Sequence, residues 1–184
     1  MKRIISAFVG LAGLAALSAS AQDYTLYPPR ATEISVSYGA VPAMGHIDSY
    51  NGGWNNVKPW GSVSFTVDHR FGPVWVGMSY TYSSASGDHV VRQGDGDLTW
   101  HGLMVNARYE WLRRRNVRFY SHVGVGCLIT YFSPSWEDSY NRTRAAFQAM
   151  PLGVQYDFCR NAGLFAEVGY GIQGIAKFGV RVGL

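Results

Sequence analysis

Beyond its N-terminal segment the chain has no long apolar run, which removes the helical route through a membrane, since a helical span takes about 20 consecutive apolar residues. Cysteine is nearly absent: Cys127 and Cys159 stand alone in 184 residues, too few for a disulfide-built scaffold. Charge of one sign is scarce as well, with 16 basic residues against 12 acidic. The one basic run, Arg113-Arg114-Arg115 with Arg118 beside it, falls in a predicted turn. It makes no basic face of the kind nucleic acid selects, so no nucleic-acid partner is expected. Metal-ligand spacings such as H-E-x-x-H, C-x-x-C or a calcium loop do not occur, so neither a metal site nor a cofactor is expected. Helix-period apolar stripes are also missing after the first segment.

What is present begins with an export signal. Lys2 and Arg3 precede an apolar run from Ile4 to Leu17, and Ala19-Ser20-Ala21 has the small-x-small form that signal peptidase accepts. The run is shorter than a membrane span, so residues 1–21 are expected to leave and residues 22–184 to form one domain starting near Gln22. No cysteine lies near the cleavage point to carry a lipid anchor. Removal of Lys2 and Arg3 leaves 14 basic against 12 acidic residues, so the pI of about 9.1 says little about partners.

The remaining chain is rich in Gly (22), Tyr (12), Phe (9) and Trp (6), the residues of tight turns, strands and interfacial aromatic belts. Eight segments alternate with period two, as strands with two unlike faces do. They are predicted at 32–39, 61–69, 74–83, 98–112, 117–132, 146–158, around 164–170, and 176–184. Leu103, Val105, Ala107, Tyr109 and Trp111 against Asn106, Arg108 and Glu110 is the clearest case. Trp75 breaks the polar parity of its strand, and Pro151 demands a bulge or an edge-like break. Short connections (70–73, 113–116, 159–162) alternate with long ones (40–59, 84–97, 133–144), the rhythm of periplasmic turns and outer loops. Only the last outer connection, near Ile172 to Ile175, is short.

Alternation alone does not say which face points outward, and a soluble lipocalin-like barrel would bury the apolar one. Two features favour lipid. The polar parity holds charges of both signs at similar depth. The apolar parity ends in aromatics: Trp111, Phe119, Tyr156 and Phe158 near the short turns, and Tyr38, Tyr80, Tyr82, Tyr131 and Tyr170 near the long loops. Two such girdles, about 25 Å apart, are what an outer membrane selects. The expected fold is an all-β, eight-stranded antiparallel up-and-down transmembrane barrel. Short-turn register places Glu110 against Arg118, Arg118 against Asp157, and Glu33 beside Arg181. With Arg108, His122, Glu167 and Lys177, these residues are expected to form a charge network in the lumen. An interior of eight strands is just wide enough for side chains to fill, so the network is expected to plug the barrel.

The signal, the four hairpins, the charged interior and the terminal strand Phe178-Gly-Val-Arg-Val-Gly-Leu184 together resemble the small outer-membrane barrels of the OmpA, OmpX and OmpW kind. The ending is similar to that of Bacteroidetes members. Many such barrels end in an aromatic residue read by the assembly machinery, whereas this one ends in Leu184 with Phe178 six residues earlier. The resemblance implies an outer-membrane location, with outer-membrane lipid, lipopolysaccharide and the assembly machinery as partners.

Candidate sites lie in the loops and the lumen. Trp54, Asn55, Trp60 and Trp136 offer aromatic and polar groups for surface recognition. Asn141-Arg142-Thr143 matches a glycosylation sequon that a bacterial chain would not use. His122 with Glu167 or Tyr120 could do acid–base work, and His101 or His89 could serve a lipid A-modifying barrel enzyme, but no lipid A deacylase or palmitoyltransferase signature is present. Cys127 and Cys159 fall too far apart to bridge, and two free thiols are expected. The expected role is non-enzymatic: a structural or surface-interaction barrel, with a narrow pore or small apolar-compound channel, and then a lipid A-modifying enzyme, as alternatives. N-terminal sequencing of the exported protein should begin at Gln22; a mature chain retaining Lys2 and Arg3 would overturn the signal.

Overall fold

The computed structural model describes residues 31–46, 54–55, 57–89, 95–134 and 138–184. The expected signal segment lies outside them, as does Trp136. The strands are β1 (Thr32–Ala40), β2 (Trp54–Asn55), β3 (Ser62–Phe71), β4 (Val74–His89), β5 (Asp95–Arg114), β6 (Val117–Pro134), β7 (Tyr140–Asp157), β8 (Ala162–Gly171) and β9 (Ala176–Gly183). Apart from the two-residue β2, which pairs with the outer end of β4, eight antiparallel strands run up and down in sequence order. They close on themselves: β1 pairs with both β3 and β9, and β4 with β5. Among the described residues no helix is long and apolar enough to cross a membrane; the crossing is made by strands. Closure leaves no unpaired edge in the hydrocarbon, the condition that makes a strand tolerable there.

The faces divide as the alternation predicts. Glu33, Ser35 and Ser37 of β1, and Ser62, Ser64, Thr66 and Asp68 of β3, are buried in the lumen, while Val36, Val63, Phe65 and Val67 are exposed on the outer wall. Both aromatic girdles face outward, and Trp111 packs against Phe119 with ring centroids 5.6 Å apart. Pro151 sits in a bulge: β6–β7 and β7–β8 both shift register there, and the Ser121 hydroxyl donates to the Pro151 carbonyl at 2.7 Å.

Strand lengths depart from expectation. β1, β3, β8 and β9 have 8–10 residues, about what a tilted outer-membrane strand needs. β4 has 16 residues, β5 20, and β6 and β7 18 each. The predicted long loops at 84–97 and 133–144 are therefore largely strand, and the connections shrink to 90–94 and 135–139. Above the membrane no lipid demands an apolar parity, so runs such as Ser83-Ser84-Ala85-Ser86-Gly87 pair without showing period-two hydrophobicity.

The upper lumen also differs. Instead of more charge it holds an apolar core of Leu98, Trp100, Met104, Leu128, Phe132 and Ala146 from the strands, with Met44 and Ile172 supplied by outer connections. The short connection at 172–175 folds inward. Gln173 is fully buried, its side-chain amide donates to Ser79 Oγ at 3.0 Å, its carbonyl accepts from Ser62 Oγ at 3.0 Å, and Gln148 Oε1 accepts its backbone N–H at 2.7 Å. Gly174, at φ 109°, permits the reversal that sends this turn down and back.

Met104 is 1 % exposed and Val125 is 67 % exposed. In urea unfolding from detergent micelles Met104→Ala should cost about 2–5 kcal/mol as a core truncation. Val125→Ala should cost well under about 1 kcal/mol, because lipid or detergent replaces the lost contacts. Equal losses would mean that the two faces are assigned the wrong way round.

Candidate functional site

Two carboxylates organise the polar half of the lumen. Glu33 reaches it from β1: its Oε2 accepts from Arg108 Nη2 at 2.6 Å and lies 3.7 Å from Arg181 Nε, while its Oε1 accepts from Arg118 Nη1 at 2.8 Å. Glu167 reaches it from β8, with Lys177 Nζ at 2.6 Å, the Tyr120 hydroxyl at 2.8 Å, His122 Nδ1 at 3.1 Å and Arg181 Nη2 at 3.6 Å. Arg181 therefore ties the two centres together. Arg118 spans three carboxylates, adding Asp157 at 2.9 Å and Glu110 at 3.2 Å to Glu33. Arg113 pairs with Glu110, and Arg108 lies 4.0 Å from Asp68.

Aromatic rings sit between the cations. Arg108 lies over the Trp75 ring at 4.4 Å and the Tyr120 ring at 5.2 Å, and Arg181 over Phe165 at 4.2 Å. A desolvated cation over a ring gains about 2 kcal/mol, so the rings add to what the carboxylates supply. Gly153 makes room for Tyr120: a Cβ there would meet the ring's Cζ at 2.6 Å. Among the described residues five carboxylates (Glu33, Asp68, Glu110, Asp157, Glu167) face five basic side chains (Arg108, Arg113, Arg118, Lys177, Arg181). A buried charge without a partner is expensive; here none of these ten lacks one.

All nine residues expected in the lumen network are found in this interior cluster. The expected contacts Glu110–Arg118, Arg118–Asp157 and Glu33–Arg181 are made by diagonal reach, because the Cα partners are Tyr120 for Glu110, Gln155 for Arg118 and Gly183 for Glu33. A bulge between Glu110 and Leu112 shifts the register. It also turns Arg113 inward, so the basic run read as a turn is split: Arg113 is buried, and Arg114 and Arg115 are exposed. Asp68, Arg113, Gln155, Trp75 and Phe165 complete the network and were not expected in it, while Tyr120, read in the lumen only as an acid–base candidate, joins it through Glu167. Asp68 and Gln155 lay on the polar parity and were legible there. The broken parity at Trp75 is the signal for its place, since it lies directly across from Arg108.

The other candidates are placed as follows. His122 and Tyr120 are buried against Glu167. His101 is on the lipid-facing parity, its Nδ1 2.6 Å from the Tyr80 hydroxyl and its ring edge-on to Tyr82 and Tyr131. The side chains of His89, Trp54 and Asn55 lie outside the described residues. Trp60 is exposed and held in place: Nε1 donates to Ser84 Oγ at 3.0 Å. Cys127 and Cys159 are free thiols. Among the described residues no group of three His, Cys, Asp or Glu side chains could hold a metal.

A closed eight-strand barrel with lipid-facing aromatic girdles and a self-neutralising interior defines an integral outer-membrane barrel. The chain belongs to the family described as outer membrane protein beta-barrel domain, whose model matches residues 9–181, and the outer membrane is its location. Among solved structures it is similar to Neisserial surface protein A, with a TM-score of 0.54 at 13% identity over 83% of this chain and 96% of that one. That likeness is one of fold. Ail, the attachment invasion locus protein of Yersinia pestis, crystallised with the heparin analogue sucrose octasulfate, aligns with a TM-score of 0.46 at 16% identity over 85% of this chain and 95% of that one. The N-terminal barrel of Pseudomonas aeruginosa OprF aligns with a TM-score of 0.42 at 15% identity, covering 84% and 98%. A search of curated proteins returns no match.

Arg118→Ala would leave Asp157 without its cation, take one of two from Glu110 and one of three from Glu33, and should cost about 3–5 kcal/mol. In a double-mutant cycle with Asp157→Ala the losses should fall short of additivity by about 0.5–3 kcal/mol. Strictly additive unfolding energies would detach Arg118 from the network.

Proposed function

We propose that this protein is a non-enzymatic outer-membrane barrel whose work is done at its outer face, in a structural or surface-interaction role. One observation carries the reading: the lumen is occupied at both levels, by paired charges below and an apolar core above, while β4 to β7 run on well past the outer girdle. The extra residues, at about 3.3 Å each, raise a four-stranded wall above the lipid on one side of the barrel. Its β7 edge, from Tyr140 to Ala146, pairs only with β6. Such an edge offers backbone donors and acceptors to a partner strand, and Arg142 and Arg144 on it discourage pairing with a second copy of itself.

The partners on this reading are outer-membrane lipid, lipopolysaccharide and the assembly machinery. The export signal and the form of the terminal strand support a Gram-negative origin among the Bacteroidetes. The filled lumen weighs against the narrow pore and the channel for apolar compounds, and the engagement of the His101 ring by Tyr80, Tyr82 and Tyr131 weighs against a role for it in lipid A modification. Refolded protein in a planar bilayer should give no discrete openings, and lipid A from cells with and without the protein should have the same acyl chains by mass spectrometry. A unitary conductance step, or a changed acyl pattern, would overturn the proposal.

A further inference from the structure

Residues 41–46 and 57–60, which follow β1 and precede β3, line with Tyr38 and Ala40 of β1 a cleft of about 400 Å³, within the range of small-ligand sites. One wall is pre-formed. The Tyr38 ring lies between Phe178, at 5.5 Å, and Trp60, at 5.9 Å; its hydroxyl donates to the Trp60 carbonyl at 2.5 Å, and Trp60 is itself tied to Ser84. The opposite wall is made by Val41, Pro42 and Val57, with His46 and Lys58 beside them. The chain enters this wall through Val41 at φ 51°, a conformation a β-branched residue rarely adopts. Backbone bonds hold it there: Ile175 N–H donates to the Ala40 carbonyl at 2.9 Å and Ala43 N–H to Gly171 at 3.0 Å. A strained backbone fixed by its surroundings is more common at binding sites than elsewhere.

Depth identifies the occupant. Tyr38 belongs to the outer girdle, and Val36, below it on the same parity, is exposed to acyl chains. The cleft therefore opens where hydrocarbon ends and lipid head groups begin. Lys58 is its cationic side chain, the His46 imidazole stands near it, and no carboxylate is among its described lining residues. Cationic pockets at this level suit anionic lipid heads. We propose that the cleft is a subsite for the phosphorylated head of an outer-leaflet glycolipid, with Lys58 on the phosphate, His46 at the rim, and Tyr38 and Trp60 against the sugar. The proposal rests on the outer-membrane lipid partnership above and names its site.

The test is native mass spectrometry of the full barrel refolded in detergent, titrated with bisphosphorylated lipid A, the same lipid A dephosphorylated, and inorganic phosphate. The wild type should hold the bisphosphorylated lipid about tenfold or more tighter than the dephosphorylated one, the scale of one charge-assisted contact. Lys58→Ala should abolish that preference, Lys58→Arg should keep it, and Arg114→Ala at the opposite end of the barrel should leave it unchanged. Heat-modifiable migration verifies that each variant is folded. A preference that survives Lys58→Ala would overturn the subsite, and so would inorganic phosphate binding as tightly as the lipid. Either result would leave the bilayer and lipid A measurements of the proposed function unaffected, so the two readings fail separately.

Discussion

A strand in hydrocarbon can send its N–H and C=O groups only to another strand, and in this protein that requirement generates nearly everything else. It forces the sheet to close, which it does where β1 meets β9. Closure at eight strands fixes an interior too narrow for a water column and too wide to leave empty. Side chains must fill it, and because the apolar parity is committed to lipid, the filling falls to the polar one. The carboxylates and guanidiniums of the lumen therefore follow from backbone chemistry before any question of function arises.

The interior meets this demand in two ways. Near the periplasmic end, Glu33 and Glu167 gather cations from several strands, and Trp75, Tyr120 and Phe165 fill the volume between them. Near the outer end, beyond the reach of those carboxylates, the strands supply Trp100, Met104, Leu128 and Phe132, and the outer connections lower Met44 and Ile172 among them. Gln173 stands at the join, bonded to serines of the upper polar wall and, through Oε1, to Lys177 at 3.0 Å.

How much of this was legible in the sequence depends on what each residue faces. Where one face meets lipid, period-two alternation is strong, and Leu103 to Trp111 or Phe178 to Leu184 could be read as strands and assigned to sides. Where neither face meets lipid, as in the upper parts of β4 and β7, alternation carries little hydrophobic signal and strand was read as loop. Charged partners were legible to within a diagonal step, since long side chains reach past the bulge at Glu110–Leu112 that the sequence does not announce. The apolar upper lumen was missed because Trp100 and Met104 sit on a parity read as polar. The inward fold of 172–175 was missed because a four-residue connection resembles an ordinary turn until the bonds of Gln173 are seen.

The last hairpin has a consequence for how such a molecule can come together. β8, β9 and the turn between them carry Phe165, Glu167, Gln173, Lys177 and Arg181, and β9 is also the strand that seals against β1. Until this hairpin docks, Tyr120 and His122 have no Glu167, and Ser62 and Ser79 have no Gln173. The keystone and the mortar thus arrive in one piece: the curved sheet cannot be shut and left hollow, nor filled and left open. A sheet that lacks this hairpin keeps Glu33 with Arg108 and Arg118, but it has neither the seam that closes it nor the second carboxylate centre of its interior.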